Sequence, residues 1–232
     1  LSLLFLHYFL PSSILTTFPH VGIAVPHVAM TTPGLAAIAE VRHLAINLSG
    51  PLCAHLTDLL DMDEEHAKWL VDMGAVFIDK VRVGAGAYNA IVPQGSYLRV
   101  HPSPRRFPVA WTADWQKRLV HVNSNYVIVN KPGGLPCHAS LDNAKETTEA
   151  CAERALSAEV GSISALHRLD VPTHGLMCLG RTPFFAAHFS RLLRMRRVRK
   201  EYLALASAPP QLGSMVHYMR PSERSPRVVR GE

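Results

Sequence analysis

The chain has 232 residues, of which 48% are hydrophobic and 18% are charged, a balance that excludes an intrinsically disordered protein and allows one large domain or two small ones. The net charge of +6 is uneven, because residues 1–180 carry 13 Lys and Arg against 15 Asp and Glu, whereas residues 181–232 carry 11 against 3. The basic C-terminal block predicts either an anionic partner, with nucleic acid the usual candidate, or a solvated helix face.

The first 45 residues have no feature to which we assign a function. Leu1 to Leu10 is apolar, but it is too short to span a bilayer and lacks the basic start of a signal peptide. Because the chain begins with Leu1 and not with Met, we expect a fragment or a processed form, and a targeting role for residues 1–45 stays open. No other stretch has the length and apolar character of a transmembrane helix, so no membrane partner is predicted.

Residues 52–101 are predicted to form a small module of helices and strands. A helix is expected to begin near Asp63 and to end at Gly74, since glycine commonly follows the last helical residue. Its apolar residues recur at helical spacing and comprise Ala67, Leu70 and Val71. Three short strands are predicted to follow, at residues 76–78, 81–83 and 97–100.

The second region follows the Pro-rich stretch 101–108, which is typical of a linker and places a boundary within residues 101–117. Residues 117–232 then alternate strands and helices. The strands are predicted at residues 126–130, 176–179 and 201–207, and the helices at residues 147–160 and from Pro183 onward. Together with the first module, these elements predict an α+β fold.

A charged cluster, "HRLD" (His167 to Asp170), stands directly before the apolar strand predicted at residues 176–179. Charged groups beside a core must be paired or hydrated, so an ordinary strand start does not need them. Asp170 by itself fits a turn or a capping residue, and Arg168 fits a structural ion pair with Asp170. The cluster therefore indicates either a structural turn or a functional loop.

Three stretches of the second region resemble the RluA-type family of pseudouridine synthases, which isomerise uridine within RNA. "YVIVNKPGGLPCH" (126–138) is similar to the family's first motif, "HRLDVPTHGLMCLGRT" (167–182) to its catalytic motif, and "VRKEYLALA" (198–206) to its Lys-x-Tyr motif. The resemblance implies a mixed or antiparallel catalytic sheet within residues 117–232. Residues 52–101 resemble the small RNA-binding domain that often precedes this catalytic domain.

The resemblance also implies a reaction and its residues. Pseudouridine forms when the bond from the sugar's anomeric carbon to a ring nitrogen breaks, the base rotates and a ring carbon is bonded, which calls for a carboxylate. The motif places that carboxylate on Asp170. A paired uridine must be flipped out of its helix, and Arg168 is implied to fill the vacated space and to contact the RNA backbone. Tyr202, together with Lys200, is implied to contact the flipped base.

Other residues of the motifs are expected to support the site or to bind RNA. The supporting residues are His167, Thr173, Gly175, Lys131 and His138. Among these, His167 is expected to hydrogen-bond the loop, and Lys131 to form part of the wall of the site. Arg194 and Arg197 belong to a run of arginines that is a solvated helix end in most proteins, but here they are expected to contact phosphates.

Metal, disulfide and cofactor chemistry are not predicted. The four cysteines, at positions 53, 137, 151 and 178, form no C-x-x-C pair, so reduced thiols inside a cell are expected. The histidines near the catalytic motif show no standard metal-ligand spacing, and the isomerisation needs no redox group. The family resemblance implies ribosomal or transfer RNA as the partner, and we expect a monomer. Its location is expected to be inside a cell, in the cytoplasm or in an organelle.

Two departures from the family pattern bear on activity. His174 occupies the position of the family's usual serine, and the family's later Gly-Arg-x-His-Gln-x-Arg stretch, whose arginine pairs with the catalytic aspartate, is not found before Glu232. The catalytic domain is therefore expected to be incomplete at its C-terminal end. Two hypotheses remain: an isomerase, or a fragment of one, that depends on Asp170, and an RNA-binding protein of the same family that lacks catalysis.

Overall fold

The structure, a computed structural model, describes residues 40–205 and three short strands outside that range. The elements up to residue 100 are β1 (Leu6–Tyr8), β2 (Arg42–Ala45), β3 (Gly50–Pro51), α1 (Leu52–Leu60), α2 (Glu64–Met73), β4 (Val76–Ile78), β5 (Val81–Arg82), β6 (Ile91–Val92) and β7 (Tyr97–Val100). The later elements are α3 (Val109–Thr112), α4 (Trp115–Arg118), β8 (Leu119–Val122), β9 (Tyr126–Lys131), α5 (Thr148–Ala155), β10 (Ser164–Ala165), β11 (Gly175–Gly180), α6 (Pro183–Arg194), β12 (Lys200–Tyr202), β13 (Tyr218–Met219) and β14 (Val229–Arg230). Within this described part of the chain, no helix is long and apolar enough to cross a membrane.

The N-terminal unit packs two helices on one face of an antiparallel sheet. The strand order is β2-β7-β4-β5, and α1 and α2 cover the inner face, where Leu56, Leu70 and Leu98 are fully buried. The helix α2 begins at Asp63, whose carboxylate accepts a hydrogen bond from the backbone N–H of His66, and ends at Gly74, whose φ of 71° is left-handed. The helix and the three strands predicted for this region are confirmed.

The sheet of this unit extends further toward the N-terminus than the predicted module. Strand β2 pairs with β7 in the register Arg42↔Val100 to Ala45↔Tyr97, so it forms one edge of the sheet although it lies before residue 52. The pairing partner of β1 is β12, at the far end of the described chain. Two short parts of residues 1–45, to which the sequence assigned no function, are therefore strands.

The second unit has a sheet covered by helices on both faces. The strand order is β10-β11-β9-β8, with β9 and β11 in the register Gly175↔Lys131 to Gly180↔Tyr126. Val127 and Val129 of β9 belong to a core that includes Ala152 of α5, whereas Ile128 belongs to a core that includes Phe189 of α6. Because both faces are buried, β9 and β11 are almost continuously apolar. The whole fold is thus a mixed arrangement of helices and antiparallel sheets.

Two predicted elements end earlier than expected. The helix predicted at residues 147–160 is wrong at its C-terminal end: α5 ends at Ala155 because Ser157 is left-handed, with a φ of 49°, and the Glu153 carboxylate accepts hydrogen bonds from the backbone N–H groups of Gly161 and Ile163. In place of the strand predicted at residues 201–207, the structure has the shorter strand β12 (Lys200–Tyr202). Residues 203–205 are irregular and exposed, and residues 206 and 207 lie outside the described part of the chain.

The Pro-rich stretch 101–108 is packed against the second unit through a buried carboxylate. Glu146 is fully buried and accepts hydrogen bonds from the Arg106 guanidinium at 2.7 Å, the backbone N–H of Phe107 at 2.6 Å and the indole N–H of Trp111 at 2.8 Å. The neighbouring Arg105 forms a salt bridge with Asp142 at 3.1 Å. This stretch is therefore fixed at several points along its length.

The two units also touch each other directly. The backbone N–H of Ala144 donates to the carbonyl oxygen of Met73 at 2.7 Å, and the Arg82 guanidinium donates to the carbonyl oxygen of Ser140 at 2.5 Å. These polar contacts join the end of α2 and the strand β5 to the loop that precedes α5. Their geometry holds the N-terminal sheet beside the second unit.

Glu146 provides a test of this junction. Burial by itself raises the pKa of this carboxyl, but the hydrogen bonds, led by that from Arg106, outweigh burial and lower the pKa to about 2 from a usual value of 4.5. A depressed folded-state pKa stabilises the fold above pH 4.5, and this contribution is lost as the pH falls toward 2. We expect Glu146→Gln to lower the free energy of unfolding by about 3 kcal/mol at pH 7.

Urea denaturation at pH 7 and pH 3 measures both effects. The difference in stability between the unchanged protein and Glu146→Gln is expected to shrink at pH 3. The exposed Glu159 supplies a matched control, since Glu159→Gln removes an equal charge without a buried partner. Equal stabilities of the two variants at pH 7 would contradict the structural role of Glu146.

Candidate active site

The charged cluster forms an exposed loop between β10 and β11, here called the Asp170 loop (residues 166–174). Its backbone is anchored by Leu169, which is 5% exposed and packs into the core beneath the sheet. The flanking side chains of Arg168 and Asp170 point away from that core and are exposed. The loop therefore presents a cation and a carboxylate on either side of a buried anchor.

Lys131 holds the Asp170 loop from below. This side chain at the end of β9 is fully buried, yet its ammonium lies within hydrogen-bond distance of four backbone carbonyl oxygens. They belong to Thr173 at 2.6 Å, Asp170 at 3.1 Å, Pro132 at 3.1 Å and Val171 at 3.2 Å. Three of the four are in the Asp170 loop, so the lysine fixes its backbone.

The charge of Lys131 is also part of the electrostatics of the loop. Burial lowers the pKa of the ammonium to about 8, while the nearby Asp170 carboxylate acts in the opposite direction. At pH 7 the group is still mostly protonated. A positive charge with little access to solvent therefore lies under the loop that carries Asp170, whose carboxylate the motif predicts to be catalytic.

The turn after β9 locks onto the same loop. The backbone N–H of Gly134 donates to the carbonyl oxygen of Val171 at 2.7 Å. A Cβ atom on Gly133 would lie 2.9 Å from the carbonyl oxygen of Pro172, so no side chain fits at that position. Together with Lys131, these contacts bind the first and the catalytic motif into one rigid unit.

Two other residues of the catalytic motif shape the start of β11. The backbone N–H of Thr173 donates to the carbonyl oxygen of Asp170 at 3.0 Å and closes the loop on itself. Gly175 is buried, opposite Lys131 in the register, with a φ of 137° that residues with a side chain rarely adopt. The motif's glycine is thus required by the backbone at the point where the loop becomes a strand.

His167 connects the loop to the sheet as a neutral ring. Its Nε2 accepts a hydrogen bond from the backbone N–H of Cys178 at 3.0 Å, and its ring stacks on Phe189 with centroids 6.3 Å apart. Burial, assisted by the charge of Lys200, lowers the pKa of His167 to about 4. The ring is therefore uncharged at pH 7, and its Nε2 positions the backbone of β11 through the hydrogen bond from Cys178.

Arg168 and Asp170 are not partners of each other. Among the residues that the structure describes, the two side chains form no salt bridge, which leaves the structural ion pair considered from the sequence without support. Burial and then the Asp170 carboxylate raise the pKa of Tyr202, so the phenol lies within electrostatic range of that carboxylate. Tyr202 is 44% exposed.

An imidazole–carboxylate pair borders the loop on the side of Arg168. Nδ1 of His138 lies 3.0 Å from Glu149, and this hydrogen bond raises the pKa of His138, while the charge of Arg168 opposes the shift. Glu149 also accepts a hydrogen bond from the backbone N–H of Ala165 at 2.7 Å. The pair therefore ties α5 to β10, just ahead of the Asp170 loop.

The C-terminal arginines lie at the end of α6. Arg194 and Arg197 are exposed, and within the described ranges no hydrogen bond or ion pair joins their side chains to the Asp170 loop. Positive charge at the C-terminal end of a helix is also favourable for the helix itself. Lys200, in contrast, lies close enough to lower the pKa of His167.

His174, at the position of the family's usual serine, is half-buried. Burial comes first among the causes that lower its pKa, followed by the charges of Lys131 and Arg118. Its ring is therefore neutral at pH 7. His174 therefore adds no positive charge to those of Lys131 and Arg168 near the Asp170 loop.

Sequence reasoning missed one residue that positions the loop. The buried Cys137 thiol donates to the carbonyl oxygen of Leu169 at 3.1 Å, and the backbone N–H of Leu169 lies 3.3 Å from the same sulfur. Burial raises the pKa of this thiol, which keeps it protonated. Cys137 lies inside the "KPGGLPCH" stretch of the first motif, which packs on the loop. This position was the signal in the sequence that could have identified Cys137 as a supporting residue.

Comparisons with known proteins show what the part of the chain that carries this site is similar to. Residues 125–231 match the family described as RNA pseudouridylate synthase. RNA pseudouridine synthase 6, chloroplastic, of Oryza sativa is 38% identical over 141 residues, which are 61% of this chain and 29% of the relative. The protein of the same name in Arabidopsis thaliana is also 38% identical over 141 residues, 61% of this chain and 30% of the relative.

A solved structure, Human RNA Pseudouridylate Synthase Domain Containing 4, is 27% identical and is superimposed with a TM-score of 0.30 over 36% of this chain and 31% of that chain. The chain spans about 30% of the length of the two plant relatives, those of Oryza sativa and Arabidopsis thaliana. Residues 125–231, which include the Asp170 loop, are thus similar to the RNA pseudouridylate synthases. The resemblance that the three motifs predicted is confirmed.

Lys131 is the residue whose removal tests the architecture of the loop. We expect Lys131→Met to lower the free energy of unfolding by about 3 kcal/mol, since four carbonyl oxygens lose a buried charged donor. The backbone N–H groups of Thr173 and Gly134, which donate within this region, are expected to exchange faster with deuterium. Lys117→Met, at a side chain that is 85% exposed, is the control and is expected to change neither quantity. Unaltered exchange in Lys131→Met would contradict the anchoring role.

Proposed function

We propose that the chain carries the site of an RNA uridine isomerase in which Asp170 supplies the reacting carboxylate. One observation supports this role above the others: the Asp170 carboxylate is exposed, while its own backbone is held by the buried ammonium of Lys131. A reactive group must face its substrate and be held in a constant position. The match of residues 125–231 to the RNA pseudouridylate synthase family supports the reaction.

The chemistry requires no external reactant. The bond between C1′ of the ribose and N1 of the uracil breaks, the uracil rotates, and C5 bonds to C1′. The proton that leaves C5 is released to the solvent, and the proton added to N1 is taken from the solvent. The overall change is therefore an isomerisation. Asp170 attacks or stabilises the electron-poor centre that forms on the way, as carboxylates do in covalent catalysis.

The charge around Asp170 suits this role. Lys131 lies beneath the loop, and its ammonium and the Asp170 carboxylate have opposite charges, which counteracts the lowering of the Lys131 pKa by burial. His167 and His174 are neutral and compete for neither the proton nor the negative charge. In this proposal Lys131 is a positioning residue, since its ammonium contacts only backbone oxygens of the chain.

The RNA contacts are assigned to side chains that surround the loop. Arg168 is exposed and unpaired with Asp170, so its guanidinium is available to occupy the space of a flipped uridine and to bind a phosphate. Tyr202 supplies a ring for stacking on the base within range of Asp170. Lys200 is assigned to the same strand of RNA, with Arg194 and Arg197 at its outer end.

The substrate class is ribosomal or transfer RNA, and the plant relatives' names favour an organelle as the location. A second candidate function is RNA binding without catalysis. One observation favours it: in the part of the chain that the structure describes, no cation forms a salt bridge with the Asp170 carboxylate. The two candidates differ in turnover and agree in RNA binding.

Release of tritium from RNA labelled at C5 of uracil separates these candidates. We expect the 232-residue chain to release tritium, and Asp170→Asn to abolish the release while RNA affinity is retained, because the amide keeps the shape of the side chain but is not a nucleophile. Asp142→Asn, at a carboxylate paired with Arg105 away from the loop, is the control and is expected to remain active. RNA binding without release by the unchanged chain would select the binding protein instead.

Tyr202 tests the stacking contact. We expect Tyr202→Ala to weaken binding of a uridine-containing RNA by about 5- to 150-fold, the range that corresponds to loss of one stacked base. Tyr202→Phe keeps the ring and is expected to bind nearly as well as the unchanged chain. Equal losses in both variants, measured by fluorescence anisotropy, would assign the effect to the hydroxyl and remove the stacking role.

A further inference from the structure

His138 has a fixed position beside the Asp170 loop. Its neighbour in the chain, Cys137, contacts Leu169 twice: the thiol donates to the carbonyl oxygen of Leu169 at 3.1 Å, and the backbone N–H of Leu169 lies 3.3 Å from the same sulfur. Arg168 in turn is the neighbour of Leu169 in the chain. Since consecutive Cα atoms are only about 3.8 Å apart, the contact between the two buried residues brings His138 and Arg168 to one side of the site.

Both of these side chains are open to solvent. The His138 side chain is 46% exposed, and Arg168 is exposed as well. The ammonium of Lys131, in contrast, is buried and contacts backbone carbonyl oxygens of the loop. A ligand that approaches the Asp170 loop from outside can therefore reach His138 and Arg168, but not Lys131.

Glu149 determines which nitrogen of the His138 ring carries a hydrogen. Nδ1 of the ring lies 3.0 Å from Oε1 of Glu149, and the same oxygen accepts a hydrogen bond from the backbone N–H of Ala165 at 2.7 Å. Because a carboxylate only accepts hydrogen bonds, Nδ1 carries the hydrogen and donates it. In the neutral ring Nε2 is then an acceptor without a hydrogen, and only in the protonated ring does Nε2 donate.

The charged groups around His138 act on this protonation. The hydrogen bond to Glu149 of α5 raises the pKa of His138 above the usual 6.5, whereas burial and the charge of Arg168 in the Asp170 loop oppose the shift. Lys200 of β12 acts on the adjacent His167, whose ring is neutral. The His138 ring is therefore protonated over a wider range of pH than a histidine without a carboxylate partner.

The two histidines beside the loop differ in what they can bind. His167 accepts a hydrogen bond from the backbone N–H of Cys178 and has a pKa of about 4, so it has no positive charge to offer near neutral pH. Protonated His138 offers an Nε2–H group close to the Arg168 guanidinium. Two charged donors on one exposed side suit a phosphate diester, whose oxygens only accept hydrogen bonds.

We propose that His138 contacts RNA, and that its protonated ring and the Arg168 guanidinium bind the same backbone phosphate beside the flipped uridine. The inference rests on the proposed action on RNA. Glu149 is a positioning residue, because it holds the ring and does not itself contact the phosphate. Loss of the ring proton removes the donor at Nε2 and leaves the carboxylate of Glu149 without a compensating charge. RNA binding therefore weakens as the pH rises through the pKa of His138.

Fluorescence anisotropy with a fluorescein-labelled stem–loop RNA that has uridines in its loop tests the proposal on the 232-residue chain, from about pH 5.5 to about pH 8.5. At the acidic end we expect His138→Gln to weaken binding several-fold and to reduce the slope of log affinity against log salt by about 0.7 to 0.9, the value for one phosphate contact. At the alkaline end the variant and the unchanged chain are expected to bind alike, because neither side chain is charged. The glutamine amide can still donate to Glu149.

Two further variants complete the measurement. Glu149→Gln removes the group that raises the pKa of His138, so the midpoint of the pH dependence of binding is expected to move to lower pH. A role of Glu149 in the fold alone would not move this midpoint. His66→Gln, at an exposed histidine of α2, is the matched control and is expected to keep the affinity and the pH dependence of the unchanged chain.

The outcomes separate this proposal from the proposed function. A loss of affinity in His138→Gln that is the same at every pH would assign His138 to the fold and overturn the phosphate contact, and so would equal behaviour of His138→Gln and His66→Gln. Neither result bears on tritium release. RNA binding whose pH dependence is lost in His138→Gln, without tritium release by the unchanged chain, would retain the contact and reject the enzyme. No RNA binding by the unchanged chain would overturn the contact even if tritium is released.

Discussion

The geometry of the site depends on one buried ammonium. Lys131 contacts four backbone carbonyl oxygens, three of them in the Asp170 loop, so a single side chain determines the path of that loop. An exposed loop without such an anchor would sample many conformations at little cost. The positive charge is removed from solvent, but it is stabilised by the carbonyl dipoles that it orders. Cys137 and Gly134 add neutral hydrogen bonds to the same segment.

A second polar centre determines how the two units are joined. The Glu146 carboxylate accepts hydrogen bonds from the Pro-rich stretch, and the Arg82 guanidinium connects the N-terminal sheet to the carbonyl oxygen of Ser140. Interfaces of this kind are directional, because each hydrogen bond restricts an angle as well as a distance. The N-terminal sheet is therefore placed beside the loop that leads to His138.

Local patterns predicted nine of the elements that the structure describes, but not all of their ends, and they left the helix α1 unpredicted. The helix α2 carries both of its boundary signals in the sequence, Asp63 and Gly74, and it was predicted correctly. The helix α5 was predicted too long because its stop depends on Glu153, which accepts hydrogen bonds from N–H groups eight and ten residues later. Strand β2 was missed since its residues have no alternating pattern, and only pairing with β7 makes them a strand.

The sequence by itself determined the family resemblance, the motif residues and the identity of the carboxylate to be tested, because these depend on residue types at short spacing. It also indicated that Lys131 supports the site. Only the tertiary structure decided what Lys131 touches, that Arg168 and Asp170 form no salt bridge within the described residues, and that β2 pairs with β7 at the edge of the N-terminal sheet. Those facts depend on strand register and on contacts between distant segments, and register is set by packing of the whole sheet and not by any local pattern.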